Sequence, residues 1–216
     1  LCVAYILNFW FLLNNYMIKA VILDLGGVYF TDGTKIAIEK ISKEYDLQTA
    51  VVEKVLRTRS ELGSSIRRGE ITTDEFWNRA KNLLKLDANN DDLNRTWIES
   101  YEPIQDSIKI IKKLKKKGIK LFFLSDNVKD RIEYLQKKYN FLENFVDGIF
   151  SYEVHKTKYD GIEIFEIALE KIGEKPENVL YVDDKENYVN IAKKLGMNVI
   201  LFRSPKQLKE NLDHYF

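Results

Sequence analysis

Apolar residues along this chain recur with two periods. From Lys19 to Val28 they form a nearly unbroken run rich in branched side chains, the pattern of a parallel strand covered on both faces. Shorter runs of the same kind predict strands in IKLFFLS (119–125), FVDGIFS (145–151), NVLYVDD (178–184) and MNVILF (197–202). Between them the spacing changes to about 3.6 residues, which predicts helices in SIKIIKKLKKKG (107–118), VKDRIEYLQKKY (128–139), IEIFEIALEKIG (162–173) and YVNIAKKLG (188–196). Strands and helices in alternation imply an α/β fold, a doubly wound parallel sheet that binds ligands outside the carboxyl ends of its strands.

Residues 34–101 break the alternation. They carry only helical spacing, in IAIEKISKEY (36–45), AVVEKVLRTRSEL (50–62), TTDEFWNRAKNLLKL (72–86) and DDLNRTWIESY (91–101). Thr72 or Thr73, with Asp74 and Glu75, supplies an N-cap and early acidic residues for the third. A block without strands predicts a small helical domain inserted at 31–101, with the core assembled from 17–30 and 102–216.

Composition narrows the function classes. The chain has 216 residues, 45% of them hydrophobic, enough to bury such a core. Its 34 Lys plus Arg balance 33 Asp plus Glu, so no basic field argues for nucleic acid or an anionic membrane. The expected partner is a small molecule, bound by a monomer or homodimer. Cys2 is the only cysteine, which excludes an intramolecular disulfide and a thiolate zinc cluster and fits a cytoplasmic setting. The first sixteen residues, LCVAYILNFWFLLNNY, fall short of the roughly 20 that a membrane span needs. They also lack a basic leader and a cleavage site. They are read as an extension outside the core, with Met17 as the start; a short membrane or partner anchor is the alternative.

The strand ends hold the candidate chemistry. The first strand runs into Asp24, followed by Gly26 and Gly27; the second into Ser125, Asp126 and Asn127; and the fourth into Asp183 and Asp184. Lys156 and Lys158 follow the short strand at Phe150. Carboxylates from two strands suit a hard divalent cation such as Mg²⁺, and adjacent acids repel unless a cation is present. A hydroxyl, backbone amides and a lysine suit a phosphate. Together they describe a phosphoryl-transfer site with a carboxylate nucleophile. Taken singly, Asp24 and Ser125 also read as helix caps and either lysine as a solvated charge. No serine in a nucleophile-elbow setting accompanies His155 or His214, which excludes a hydrolase triad.

These motifs, in this order from Met17 to about Pro205, resemble the haloacid dehalogenase-like hydrolases. The likeness is to phosphatases with a helical cap after the first strand, such as sugar-1-phosphate phosphatases and the amino-terminal phosphatase domain of epoxide hydrolases. The segment RRGEITTDEFW (67–77) resembles one seen in that cap. The resemblance implies Asp24 as nucleophile and Ser125 as phosphate ligand, helped by the backbone at Asp126 and Asn127. It implies Mg²⁺ held by Asp24, the Gly26 carbonyl and Asp184, which lies twelve residues before Gly196, with Asp183 behind. In KYDGIEIF the lysine is Lys158; Tyr159 stands where the family has proline and one residue is inserted, so Lys156 stays open.

Two positions depart from the family pattern. Gly26 stands where its phosphatases carry a second aspartate for acid-base work, a loss that favours esters whose leaving groups need little protonation. Tyr188 stands where an aspartate or asparagine is usual, with Asn187 beside it. The rival readings are a dehalogenase, in which Asp24 attacks carbon without a metal, and a non-catalytic binder of a phosphorylated ligand or a protein. Arg57, Arg67 and Arg68 are candidates for a substrate's polar end.

Overall fold

Side chains of a strand alternate between its two faces, and here both faces are apolar, so each strand needs cover above and below. The computed structural model describes residues 18–216; the readings made of residues 1–17 lie outside the described residues. Strands β1 (Ala20–Leu23), β2 (Lys120–Ser125), β3 (Asp147–Phe150), β4 (Val179–Asp183) and β5 (Asn198–Leu201) form one parallel sheet in the order β3-β2-β1-β4-β5. Leu23 stands level with Phe123 on one side and Val182 on the other. The residues that follow β1, β2 and β4 therefore emerge together at one edge.

The first strand is shorter than the apolar run that predicts it. It ends at Leu23, although Asp24 N–H still donates to Val182 O at 2.9 Å. Leu25 and Val28 are apolar because the turn itself is buried, with the N–H groups of Tyr29 and Phe30 both donating to Leu25 O at 3.0 and 2.8 Å.

Between β1 and β2 lie α1 (Gly33–Glu44), α2 (Thr49–Leu56), α3 (Glu61–Arg67), α4 (Thr73–Leu84) and α5 (Asn90–Glu99). Their apolar faces meet in a core of their own that includes Ile38, Ile41, Leu56, Phe76, Trp77 and Trp97. Phe76 stacks on Trp97 at 4.9 Å, and Trp77 meets Trp97 edge-on at 5.6 Å. Thr72 caps α4, and Glu75 completes the capping box. The single helix expected over 50–62 is two, broken at Arg57–Ser60. Ser60 Oγ accepts from Gly63 N–H at 2.9 Å and donates to Arg57 O at 2.8 Å, so this serine ends one helix and starts the next, and Gly63 makes room for the turn, since a Cβ there would collide with Arg57 O. The two connections to the sheet lie side by side: Thr31 N–H donates to Glu102 O at 2.9 Å and Ile104 N–H to Tyr29 O at 2.9 Å.

One face of the sheet, with Val21, Leu23, Phe123 and Val182, packs against α6 (Gln105–Lys116), α7 (Lys129–Tyr139) and α11 (Pro205–Leu212). The four-residue α8 (Ser151–Val154) follows β3. The other face, with Ala20, Ile22, Leu124 and Tyr181, packs against α9 (Glu163–Ile172) and α10 (Glu186–Lys194). The last helix is not among those the periodicity predicts; Ser204 caps it, Pro205 opens it, and Leu208 and Leu212 are its buried contacts. No helix among the described residues is long and apolar enough to cross a membrane.

Candidate active site

Asp24 leaves the middle strand buried, and an unpaired carboxylate there would be costly. Its partner is Lys158, whose Nζ lies 2.9 Å from Asp24 Oδ1 and 2.7 Å from Asp183 Oδ2. Lys158 is held from behind, since its N–H donates to Asp126 Oδ1 at 2.8 Å, and its Nζ lies 4.9 Å from the centre of the Tyr188 ring. Lys156 is elsewhere, on the surface, paired with Glu163 at 2.5 Å.

Asp183 has its acceptor capacity committed to the protein. Oδ2 takes Lys158 and the Tyr181 hydroxyl, at 2.7 and 2.5 Å, and Oδ1 accepts from Lys185 N–H at 2.8 Å. Asp184 is different: Oδ2 takes Lys185 Nζ at 2.6 Å, while its buried Oδ1 has no partner. One carboxylate oxygen from each of Asp24, Asp183 and Asp184 lies within 4.8 Å of the others. With Asp183 engaged by the protein, the hard oxygen donors left for a cation are those of Asp24 and Asp184, and the buried, unsatisfied Asp184 Oδ1 is what fits Mg²⁺. Gly27, at φ +93°, is what lets the turn approach: a Cβ there would sit 2.6 Å from the Asp184 carboxylate.

The loop after β2 is braced from within. Asn127 Nδ2 donates to Ser125 Oγ at 3.3 Å, and its Oδ1 accepts from Val128 N–H at 3.0 Å and from Arg131 at 2.9 Å. Its own N–H donates to Ser151 Oγ at 3.0 Å, so this amide, expected to help hold phosphate, is already engaged. Ser151 Oγ donates in turn to Arg67 O at 2.6 Å, which joins the loop to α3.

Burial raises the Asp24 carboxyl well above its usual range, and Asp183 and Asp184 add to the shift, against the pull of Lys158. For Lys158 burial pushes the ammonium down, but Asp183 and Asp24 outweigh it and hold its pKa well above the ordinary value. Burial pushes Asp126 up to about 6 despite Lys158, and burial with Asp183 raises Asp184. The group is one charge cluster in which any added cation strengthens the ionised carboxylates.

A cavity of about 480 Å³ opens on this cluster. Asp24, Gly26, Ser125, Asp126, Asn127, Lys158 and Asp184 line its floor, and Asp32, Arg57, Arg67 and Tyr101 its helical side. Asn187 and Tyr188 also border it. Arg68 turns away to Glu70 at 2.7 Å and Asp160 at 3.0 Å, and His155 Nδ1 contacts the Arg68 carbonyl at 2.7 Å. Sequence reasoning missed Tyr181, Ser151 and Arg131. Arg131, fully buried, lies 4.4 Å from the ring centres of both Trp97 and Tyr101.

A parallel sheet in this order with acidic strand ends defines a doubly wound α/β protein with its site at the carboxyl edge, and comparison with known proteins supplies the family. The family model for haloacid dehalogenase-like hydrolases matches residues 18–196, and the chain belongs to that family. An uncharacterised protein of Dictyostelium discoideum is 33% identical over 152 residues, 68% of this chain and 64% of that one. The chain thus spans less than two thirds of that relative's length. A sesquiterpene phosphatase of Aspergillus oryzae is 24% identical over 182 residues, 83% of this chain and 87% of that one. Among solved structures, a HAD family enzyme of Bacteroides thetaiotaomicron in complex with magnesium and inorganic phosphate has the same fold. Its TM-score is 0.69 at 21% identity, over 86% of this chain and 94% of that one.

Proposed function

We propose that the protein is a Mg²⁺-dependent phosphatase that hydrolyses a small phosphate monoester through an aspartyl-phosphate on Asp24. The observation that carries this reading is the meeting of Asp24, Ser125, Lys158 and Asp184 on one cavity, with an unsatisfied carboxylate oxygen on Asp184. The sesquiterpene phosphatase named above and the magnesium and phosphate bound to the Bacteroides enzyme support it.

Asp24 attacks phosphorus opposite the leaving oxygen; the new O–P bond forms as the ester P–O bond breaks. Ser125 Oγ and Lys158 Nζ donate hydrogen bonds to the phosphoryl oxygens. Gly26 offers no proton, so the oxygen departs as the anion and is protonated after release, which suits esters whose leaving groups need little protonation. Water then attacks the phosphorus of the aspartyl-phosphate, releasing inorganic phosphate and restoring the Asp24 carboxylate. Asp24, Asp184 and the Gly26 carbonyl would hold Mg²⁺, which would supply positive charge for the phosphoryl oxygens when bound. Asp183, committed to Lys158 and Tyr181, acts by positioning that lysine. The inserted helices serve as a cap that excludes bulk water. A dehalogenase needs no metal, so the unsatisfied Asp184 oxygen favours the phosphatase.

The test is hydrolysis of p-nitrophenyl phosphate, whose leaving group scarcely needs an acid, with Mg²⁺ and with EDTA. Turnover is expected only with Mg²⁺, and Asp24→Asn lowers kcat by at least about 10³-fold, the scale at which loss of a nucleophile is felt. Folded, Mg²⁺-loaded protein without activity on this or natural esters identifies a binding module instead.

A further inference from the structure

Four arginines of the inserted helices stand at or near the cavity, and three are already paired. Arg57 faces Asp32 at 3.0 Å and Glu53 at 3.4 Å; Arg59 faces Glu53 at 3.0 Å; Arg68 faces Glu70 and Asp160 at 2.7 and 3.0 Å. Arg67 has no carboxylate within ion-pair distance among the described residues; the charge of Asp126 acts on it only from farther off. Arg67 is 3% exposed, lines the cavity, and donates one side-chain hydrogen bond among the described residues, from Nη1 to Gly63 O at 2.8 Å. A guanidinium carries five N–H donors, and a buried one left largely unpaired is costly unless an anion completes it. Nothing supplies one at contact distance: the Trp97 ring centre lies 5.5 Å from Arg67 and 4.4 Å from Arg131, a second buried guanidinium whose Nε and Nη2 have no partner, and Asp126 makes no ion pair with Arg67.

The position of Arg67 is fixed relative to the phosphoryl site. Its carbonyl accepts from Ser151 Oγ, and that hydroxyl oxygen accepts in turn from Asn127 N–H in the loop that carries Ser125. The phosphoryl group in transfer has Ser125 and Lys158, so Arg67 is surplus to it. We propose that the substrate carries a second anionic group, a carboxylate or a second phosphate, and that Arg67 binds it in the cavity beside the reacting phosphoryl group. Arginine suits either anion because its fork of donors matches both geometries. This rests on the phosphatase reading and adds the class of ester.

The experiment compares kcat/KM for phenyl phosphate, 4-carboxyphenyl phosphate and hydroquinone bisphosphate on the full chain with Mg²⁺. Binding of inorganic phosphate and of pyrophosphate to Asp24→Asn is titrated in parallel. The wild type should prefer one doubly anionic ester by about 10- to 100-fold, the worth of a charge-assisted hydrogen bond; which one identifies carboxylate or phosphate. Arg67→Met should erase that preference and Arg67→Lys keep part of it. An equal loss on all three esters, or no preference in either assay, overturns the proposal. If no ester turns over, the phosphatase reading falls, and the titration alone decides whether a second anion is bound. Should Arg67→Met not fold, the wild-type preference and Arg67→Lys carry the test.

Discussion

Gly26 lacks a side chain, but not for want of room. A Cβ there would meet only Tyr101 Cε1 at 3.5 Å, an ordinary contact, whereas one on neighbouring Gly27 would collide with Asp184 at 2.6 Å. The backbone at position 26 therefore admits a side chain, and an aspartate there would place a carboxyl at the cavity that Asp24 lines. We expect Gly26→Asp to raise kcat on alkyl phosphates, toward the roughly 10²–10⁴-fold worth of general acid catalysis, and to change p-nitrophenyl phosphate turnover far less. Kinetics on both esters check this; equal effects would show that the new carboxyl does no acid work. The gathering of Asp24, Ser125 and Asp184 at one edge is legible in the sequence because each stands at the end of an apolar run. Which of Lys156 and Lys158 reaches Asp24 is not, since both lie in one loop and only the folded path turns Lys158 inward. Arg131 reads as any polar position of an amphipathic helix, because its partners Trp97 and Tyr101 are far away in the chain.

At the scale of elements, the loops after β2 and α8 are joined by the Asp126 carboxylate on Lys158 N–H, while Asp126 Oδ2 is sealed without a partner. Burial raises this carboxyl from 3.8 to about 6, so the folded state disfavours its ionised form. Its contribution to stability is full below the unfolded value and is lost as pH rises through the folded one. Asp126→Asn keeps an acceptor for Lys158 but does not titrate. Relative to the wild type, it should gain about 2–3 kcal/mol between pH 4 and pH 7, because each tenfold change in proton affinity is worth about 1.4 kcal/mol. Urea melts at both pH values measure the difference; a constant gap would mean that another group titrates. Element boundaries are harder to read from the sequence than element order. The first strand reads as long because its turn is buried and apolar, and the break at Arg57–Ser60 is hard to see because the glycine it needs, Gly63, lies inside the following helix.

Across the whole molecule, the seam between the inserted helices and the sheet domain is built on a buried cation. Arg131 of α7 meets Trp97 of α5 and Tyr101, with two guanidinium nitrogens unpaired. Replacing a buried charge by an apolar side chain of similar volume often costs nothing, and the lost aromatic contacts offset the gain. Arg131→Met should therefore hold stability to within about 1 kcal/mol. Asn127 loses a donor, so kcat/KM should fall about tenfold, the worth of one hydrogen bond. Parallel urea melts and p-nitrophenyl phosphate kinetics separate the two effects; a large loss of stability with unchanged kinetics contradicts this account. The seam also bears on how such a chain can diversify. Because Thr31 and Glu102 stand side by side, everything between them hangs on the sheet as a closed loop. Exchanging that loop for another disturbs no strand register, so mutation can rewrite which molecules are admitted wherever the newcomer still offers a ring to Arg131 and a carbonyl to Ser151.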